Sequence, residues 1–153
     1  MIHHTHKTFK DNRGSYTPIS TKTLNIDWDQ CSISVNDKIY TFRGLHYQSN
    51  PPQTKYVKVI SGSILDITID LHTNAVESII LNSDDAVFIP DDKAHGFLTL
   101  DPNTIVCYLV KGEYNPDSEK SIVWSTNEDV SKLIKSFTLD SEITISDKDN
   151  YGK

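Results

Sequence analysis

From residue 40 to residue 110 the chain breaks itself into short extended segments, at 40–48, 54–61, 63–71, 77–81, 86–89, 95–100 and 104–110. Their ends are set by Gly62, Asn82-Ser83-Asp84-Asp85, Asp91-Asp92-Lys93 and Asp101-Pro102-Asn103. These residue types tolerate turn dihedrals or bond their own backbone. Ile64-Leu65-Asp66-Ile67-Thr68-Ile69-Asp70-Leu71 is rich in β-branched residues and interrupted by acids, a pattern that favours strand over helix. Only 128–137 carries apolar residues at helical intervals, with Val130, Leu133, Ile134 and Phe137 on one side. Many short strands and one short helix near the C-terminus predict an all-β sandwich or barrel.

At 153 residues the chain fits one domain, 1–153, with a single core. A mean hydropathy of −0.42 and the absence of any run near the roughly 20 apolar residues of a span exclude a helical membrane protein. The N-terminus lacks the apolar stretch of a signal peptide. Cys31 and Cys107 are too few for a disulfide framework and lack metal-site spacing, so the predicted compartment is reducing and cytoplasmic. The charge of −6 comes from 21 acids against 15 scattered bases, which argues against a nucleic-acid partner. An anionic ligand remains open to a pocket with local cations. His3-His4-Thr5-His6 reads as a flexible polar terminus able to bind metal adventitiously, and the polar 147–153 reads as a frayed tail.

The chemistry gathers in Phe42-Arg43-Gly44-Leu45-His46-Tyr47-Gln48, with Lys55 a little further on. In an extended chain Arg43 does not share a face with His46 and Gln48 unless Gly44 bends the strand. A cation for an anionic group, a base that cycles near neutral pH and a second cation for developing charge suit enolisation of a phosphorylated ketone. A salt-bridged surface pair is the other reading of this segment alone.

Beyond that segment, blocks along nearly the whole chain carry a likeness. Arg43 to Gln48, Pro52-Gln53-Thr54-Lys55 and Val59-Ile60-Ser61-Gly62-Ser63-Ile64-Leu65-Asp66 resemble the dTDP-4-dehydrorhamnose 3,5-epimerase family. So do Phe88-Ile89-Pro90, Ala94-His95-Gly96-Phe97-Leu98, Tyr108, Tyr114-Asn115-Pro116, Ile122-Val123-Trp124 and Ser146-Asp147-Lys148-Asp149, in order. Phe9, Asp11, Arg13 and Gly14 are similar to the family's N-terminal signature. The resemblance implies a cupin-type jelly roll, usually a homodimer, acting on a nucleotide-linked 4-keto-6-deoxy sugar without metal or redox cofactor.

Inverting a carbon beside a ketone needs a base on one face, an acid on the other and an electrophile at the carbonyl oxygen. The resemblance implies His46 as base, partnered by Asp149, with Asp147 as the alternative two residues away. It implies Tyr108 as acid and Lys55 as the group that stabilises the enolate. His95 either orients the sugar or Lys55, or packs at the barrel mouth. Arg43 and Arg13 are expected to hold the diphosphate, where bidentate guanidinium geometry outperforms lysine. By resemblance Phe9 and Arg13, in an arm over 1–20 that contacts a partner subunit, complete the partner's site, and Tyr114 packs on the nucleotide base. Gln30, Ser32 and Ser34 alternate as strand residues on one face, and Gln48 and Gln53 are further polar contacts.

Two departures bear on specificity. Ser15-Tyr16-Thr17-Pro18 puts Pro18 where the family has a thymine-contacting Glu, and the segment between Asn25 and Gln30 is reduced. The nucleotide, and whether C3, C5 or both are inverted, stay open. A 3,4-ketoisomerase and a non-catalytic nucleotide-sugar-binding barrel are the alternatives. A metal-dependent cupin needs a His-x-His and a carboxylate, whereas Tyr47-Gln48 follows His46.

Overall fold

The computed structural model describes residues 1–20 and 24–152. Two antiparallel five-stranded sheets pack on one another. The first runs β1 (Ile2–Thr5), β9 (Asp85–Ile89), β6 (Thr54–Ser61), β11 (Thr104–Lys111), β4 (Gln30–Asn36). The second runs β12 (Glu119–Ser121), β5 (Phe42–Gln48), β10 (Lys93–Thr99), β7 (Ile64–Asp70), β8 (Val76–Leu81). A separate hairpin joins β2 (Phe9–Asp11) to β3 (Gly14–Tyr16), and helices α1 (Glu128–Thr138) and α2 (Asp147–Tyr151) follow the strands. Early and late strands interleave in both sheets, as in a jelly roll, and the fold is the all-β cupin-type architecture expected from the sequence.

The predicted segments hold to within two residues at their ends, and β6 coincides with its predicted bounds. The His3-His4-Thr5-His6 run is not a loose terminus, as expected, but most of β1, paired with β9 from Ile2↔Phe88 to Thr5↔Asp85. His3 reaches Asp85 at 2.8 Å, while Ala86 and Val87 in the partner strand are fully buried. An edge strand needs ladder bonds and one apolar neighbour more than it needs apolar side chains of its own. The 147–153 tail is likewise not frayed: 147–151 form α2, capped by the Ser146 hydroxyl, which accepts from the Asp149 amide.

Alternation along β7 decides where the site can be. Leu65, Ile67 and Ile69 join Phe42, Leu45, Ala94 and Leu98 in a core that α1 covers with Val130 and Ile134. Ile64 instead joins Val57, Val87, Phe97 and Val106 between the sheets. Asp66 and Thr68, both fully buried, therefore share the inward face with Ile64. The polar face of this strand looks into the barrel, and the apolar face lies beneath α1. That helix is set by Asn127, whose side chain accepts from the Val130 amide, and by Glu128 and Asp129 in its first turn.

A register shift then re-aims β5. His95 pairs with His46, but Phe97 pairs with Arg43, so β5 spends one more residue than β10 over the same span. Gly44 sits there at φ +127°, a region closed to most side chains, and a Cβ on it would stand 2.5 Å from the Gly96 Cα. This bulge puts Arg43 and His46 on one side of the strand, the bend that the spacing required.

Candidate active site

A cavity of about 350 Å³ opens between the sheets. It draws Arg43 and His46 from β5, Lys55 from β6, His95 from β10 and Tyr108 from β11, with Ser32 and Ser34 from β4. Ser146, Lys148 and Asp149 close one side. A second hollow of about 410 Å³ is framed by Phe9, Arg13 and Tyr16 within the exposed hairpin. It holds no buried polar group, whereas the interior cavity holds the buried His95 and Asp149, which favours the interior one as a binding site.

Asp149 makes the first of two histidine–carboxylate contacts. One carboxylate oxygen meets His46 Nε2 at 2.6 Å, and the other accepts the Gly44 amide at 3.1 Å. Asp149 is buried although it lies in a polar tail. Burial pushes its carboxyl up, but the His46 hydrogen bond and charge, the Gly44 amide and the Lys148 ammonium outweigh that and hold it below the usual range. Asp149, not Asp147, is thus the carboxylate at His46. An ionised Asp149 takes Nε2–H as donor, which leaves the imidazole lone pair on Nδ1.

The second contact lies deeper. His95 Nε2 meets Asp66 Oδ2 at 2.7 Å, with both side chains buried. Asp66 carries no signal of its own beyond an acid inside a β-branched run, and only the alternation along β7 shows that it faces inward.

Lys55 is partly buried, and no ion pair to it occurs among the described residues. Burial lowers its pKa, and the Glu119 and Asp66 carboxylates oppose that. Burial raises the Tyr108 phenol well above its ordinary value, against a hydrogen bond with Ser34 at 3.2 Å and the Arg43 charge. The phenol therefore stays protonated across the neutral range. Arg43 is exposed and is steered by Asn36, whose side-chain oxygen accepts its Nε at 2.8 Å.

Other sequence candidates stand elsewhere. Gln48 is buried but is spent on backbone, donating to Pro51 and Glu113 carbonyls and accepting the Asn115 amide. Gln53 likewise donates to the Gly112 carbonyl. Gln30 donates to Ser32 outside the cavity lining. Tyr114 is exposed and donates to Glu119. Phe9 and Arg13 lie on the hairpin, with Arg13 paired to Asp11. Among the described residues no group of three or more His, Cys, Asp or Glu side chains could hold a metal ion.

The sequence model of the family described as dTDP-4-dehydrorhamnose 3,5-epimerase matches residues 1–153. A dTDP-4-dehydrorhamnose 3,5-epimerase of Mycobacterium tuberculosis is 35% identical over 108 residues, 65% of this chain and 52% of that protein. The chain spans about half the length of the curated relatives it matches. Among solved structures, the Bacillus anthracis dTDP-4-dehydrorhamnose 3,5-epimerase with TDP and PPi bound superposes with a TM-score of 0.83 at 31% identity, covering 97% of this chain and 90% of that one. A Legionella pneumophila dTDP-6-deoxy-D-glucose-3,5-epimerase in complex with dTDP-4-keto-L-rhamnose gives a TM-score of 0.82 at 27% identity, covering 97% and 84%.

Proposed function

The chain belongs to the dTDP-4-dehydrorhamnose 3,5-epimerase family, and we propose that it epimerises a nucleotide-linked 4-keto-6-deoxyhexose at C3, C5 or both through an enolate. The observation that carries this reading is the convergence of His46, Lys55 and Tyr108 on one cavity from three different strands. His46, held by Asp149, takes the proton from the carbon beside the ketone, and the carboxylate stabilises the imidazolium that forms. The electron pair moves to the carbonyl oxygen, where the Lys55 ammonium gains most as charge develops. Tyr108 returns a proton to the other face, and Ser34 and Arg43 stand where its phenolate would need them. His95, fixed by Asp66, orients the sugar or Lys55.

Arg43 takes the diphosphate, together with Arg13 of a second copy. Residues 1–153 then act as one unit in a cytoplasmic homodimer whose 1–20 arm reaches across. Support comes from the hairpin, which among the described residues forms a sheet of its own and leaves Phe9 and Tyr16 49% and 69% exposed. In that arrangement Phe9 and Arg13 join the partner's cavity, and Tyr114, Gln30, Gln48 and Gln53 line or support the nucleotide end. Sedimentation as a monomer at micromolar concentration would remove the dimer from the proposal.

Thymidine is the first nucleotide to test, since the relatives above hold TDP or a dTDP-sugar. Incubation with dTDP-4-keto-6-deoxyglucose in deuterated water should place deuterium at C3, C5 or both, read by NMR. No incorporation at either carbon, with the dTDP-, GDP-, CDP- and UDP-linked sugars alike, overturns the reading.

A further inference from the structure

Cys31 and Cys107 take no part in the chemistry proposed above. They lie 76 residues apart in the chain, yet their sulfurs stand 3.6 Å from one another. Both are free thiols, Cys31 exposed and Cys107 half-buried. Strand register explains the meeting. In the β4–β11 pair Cys31 stands opposite Leu109 and Cys107 opposite Ile33, so the two are diagonal neighbours across the rung Tyr108↔Ser32. Tyr108 and Ser32 line the cavity. Alternation therefore turns both sulfurs to the outer face of the sheet, behind the phenol that returns the proton.

The two strands are not held equally. β11 lies between β6 and β4, whereas β4 ends the sheet, with β11 as its one neighbour among the described residues. On the cavity side the same two strands are tied by the Ser34 and Tyr108 hydroxyls at 3.2 Å. Diagonal neighbours stand roughly 7 Å apart, while a disulfide sets its Cα atoms at about 5.5–6 Å and its sulfurs at about 2.05 Å. A bond between Cys31 and Cys107 therefore draws β4 against β11 by roughly 1 Å, and Ser32 and Ser34 shift with it beside Tyr108. Burial and the adjacent Cys31 sulfur push the Cys107 thiol up to about 11. The exposed Cys31 is then the sulfur that an oxidant meets first.

We propose that Cys31 and Cys107 form a modification site, which a peroxide converts to an intrachain disulfide; resting on the epimerase reading of the cavity, that bond slows proton return from Tyr108. Cys31 gives up its proton, and its thiolate attacks one peroxide oxygen. The O–O bond breaks, Cys31 becomes a sulfenic acid, and the departing hydroxide takes the proton as water. The Cys107 sulfur then attacks the Cys31 sulfur. The S–S bond forms, the S–O bond breaks, and the hydroxide that leaves carries off the Cys107 proton as a second water. Two thiols are oxidised and one hydrogen peroxide is reduced to two waters. A dithiol reductant returns both thiols by exchange.

The test treats the whole chain with hydrogen peroxide and blocks remaining thiols with an alkylating agent before digestion. Mass spectrometry without reductant should find the Cys31 and Cys107 peptides joined, lighter than their sum by two hydrogens. In parallel, kcat for deuterium incorporation should fall by on the order of 10- to 100-fold with KM within about two-fold, as for a misplaced but intact catalytic group, and dithiothreitol should restore it. Cys31→Ser should match the untreated wild type and keep its rate after peroxide. A sulfenic or sulfinic acid on Cys31 with Cys107 still free, or a bond joining two copies in a mixture of labelled and unlabelled chain, overturns the site. A joined pair at undiminished rate overturns its effect on Tyr108. A wild type that incorporates no deuterium overturns the epimerase reading instead, and the mass measurement, which needs no substrate, still decides whether the disulfide forms.

Discussion

The molecule contains two histidine–carboxylate pairs, and they are built in opposite ways. His95 and Asp66 are diagonal neighbours on the adjacent strands β10 and β7, where His95 pairs with Thr68 and Phe97 with Asp66. Strand pairing alone brings them together, and they are 4% and 0% exposed. His46 and Asp149 stand 103 residues apart and meet only when α2 folds onto β5. The His46 side chain keeps 26% exposure. A pair inside a sheet is fixed and desolvated, which suits orienting a neighbour. A pair closed by a short terminal helix stays open to the cavity, which suits passing a proton to something that arrives there.

That contrast can be broken most sharply at His46. His46→Asn should cut deuterium incorporation by about 10³-fold, within the range for losing a general base, while the urea midpoint stays near that of the wild type. Asp66→Asn should show the reverse balance: breaking a buried pair costs about 3 kcal/mol in urea denaturation, with a smaller loss of incorporation. If the two variants gave the same pattern, the pairs would not differ in kind. Gly44→Ala tests the bulge that turns Arg43 and His46 the same way. At φ +127° and 2.5 Å from the Gly96 Cα, the added methyl should cost about 2 kcal/mol and lower both incorporation and diphosphate affinity, the latter read by calorimetry with dTDP.

Smaller effects sharpen the open pair alone. Ser146→Ala removes the α2 cap and should cost about 1 kcal/mol locally, seen as faster amide exchange in 147–151 without a shift in the global midpoint. Acid should act on Asp149 in a defined direction. Its carboxyl is held below the usual range in the folded chain, so its stabilising contribution is present above about pH 4 and is lost as pH falls through the folded value. The stability gap between wild type and Asp149→Asn should therefore close as the pH of urea denaturation falls from neutral to about 3. A gap that widens would reverse the assigned sign.

The strands from β5 to β11 and helix α1 were legible because each carries a local pattern, period two between turn residues or apolar positions three and four apart. β4 was harder for a physical reason. Ser32 and Ser34 line the cavity, with Ile33 at its rim, while Ile33 and Val35 are left 68% and 58% exposed, so the apolar residues are the exposed ones and the usual sign is reversed. β7 hides Asp66 in the same way, since its inward face meets a polar interior while its outer face is covered by α1. β12, at three residues, is too short to show a period, and β1 owes its place to ladder bonds with β9 rather than to its histidines.

By itself the sequence determined the fold class, the Arg43-to-Gln48 block and the residue types that enolate chemistry requires, because local spacing and turn chemistry are written in neighbouring residues. Tertiary structure alone decided that the Gly44–Gly96 contact turns Arg43 toward His46, that Asp66 backs His95, and that Asp149 comes off the tail to reach His46. Each of these depends on closing the chain over tens of residues, and no local pattern records which distant groups then share a cavity.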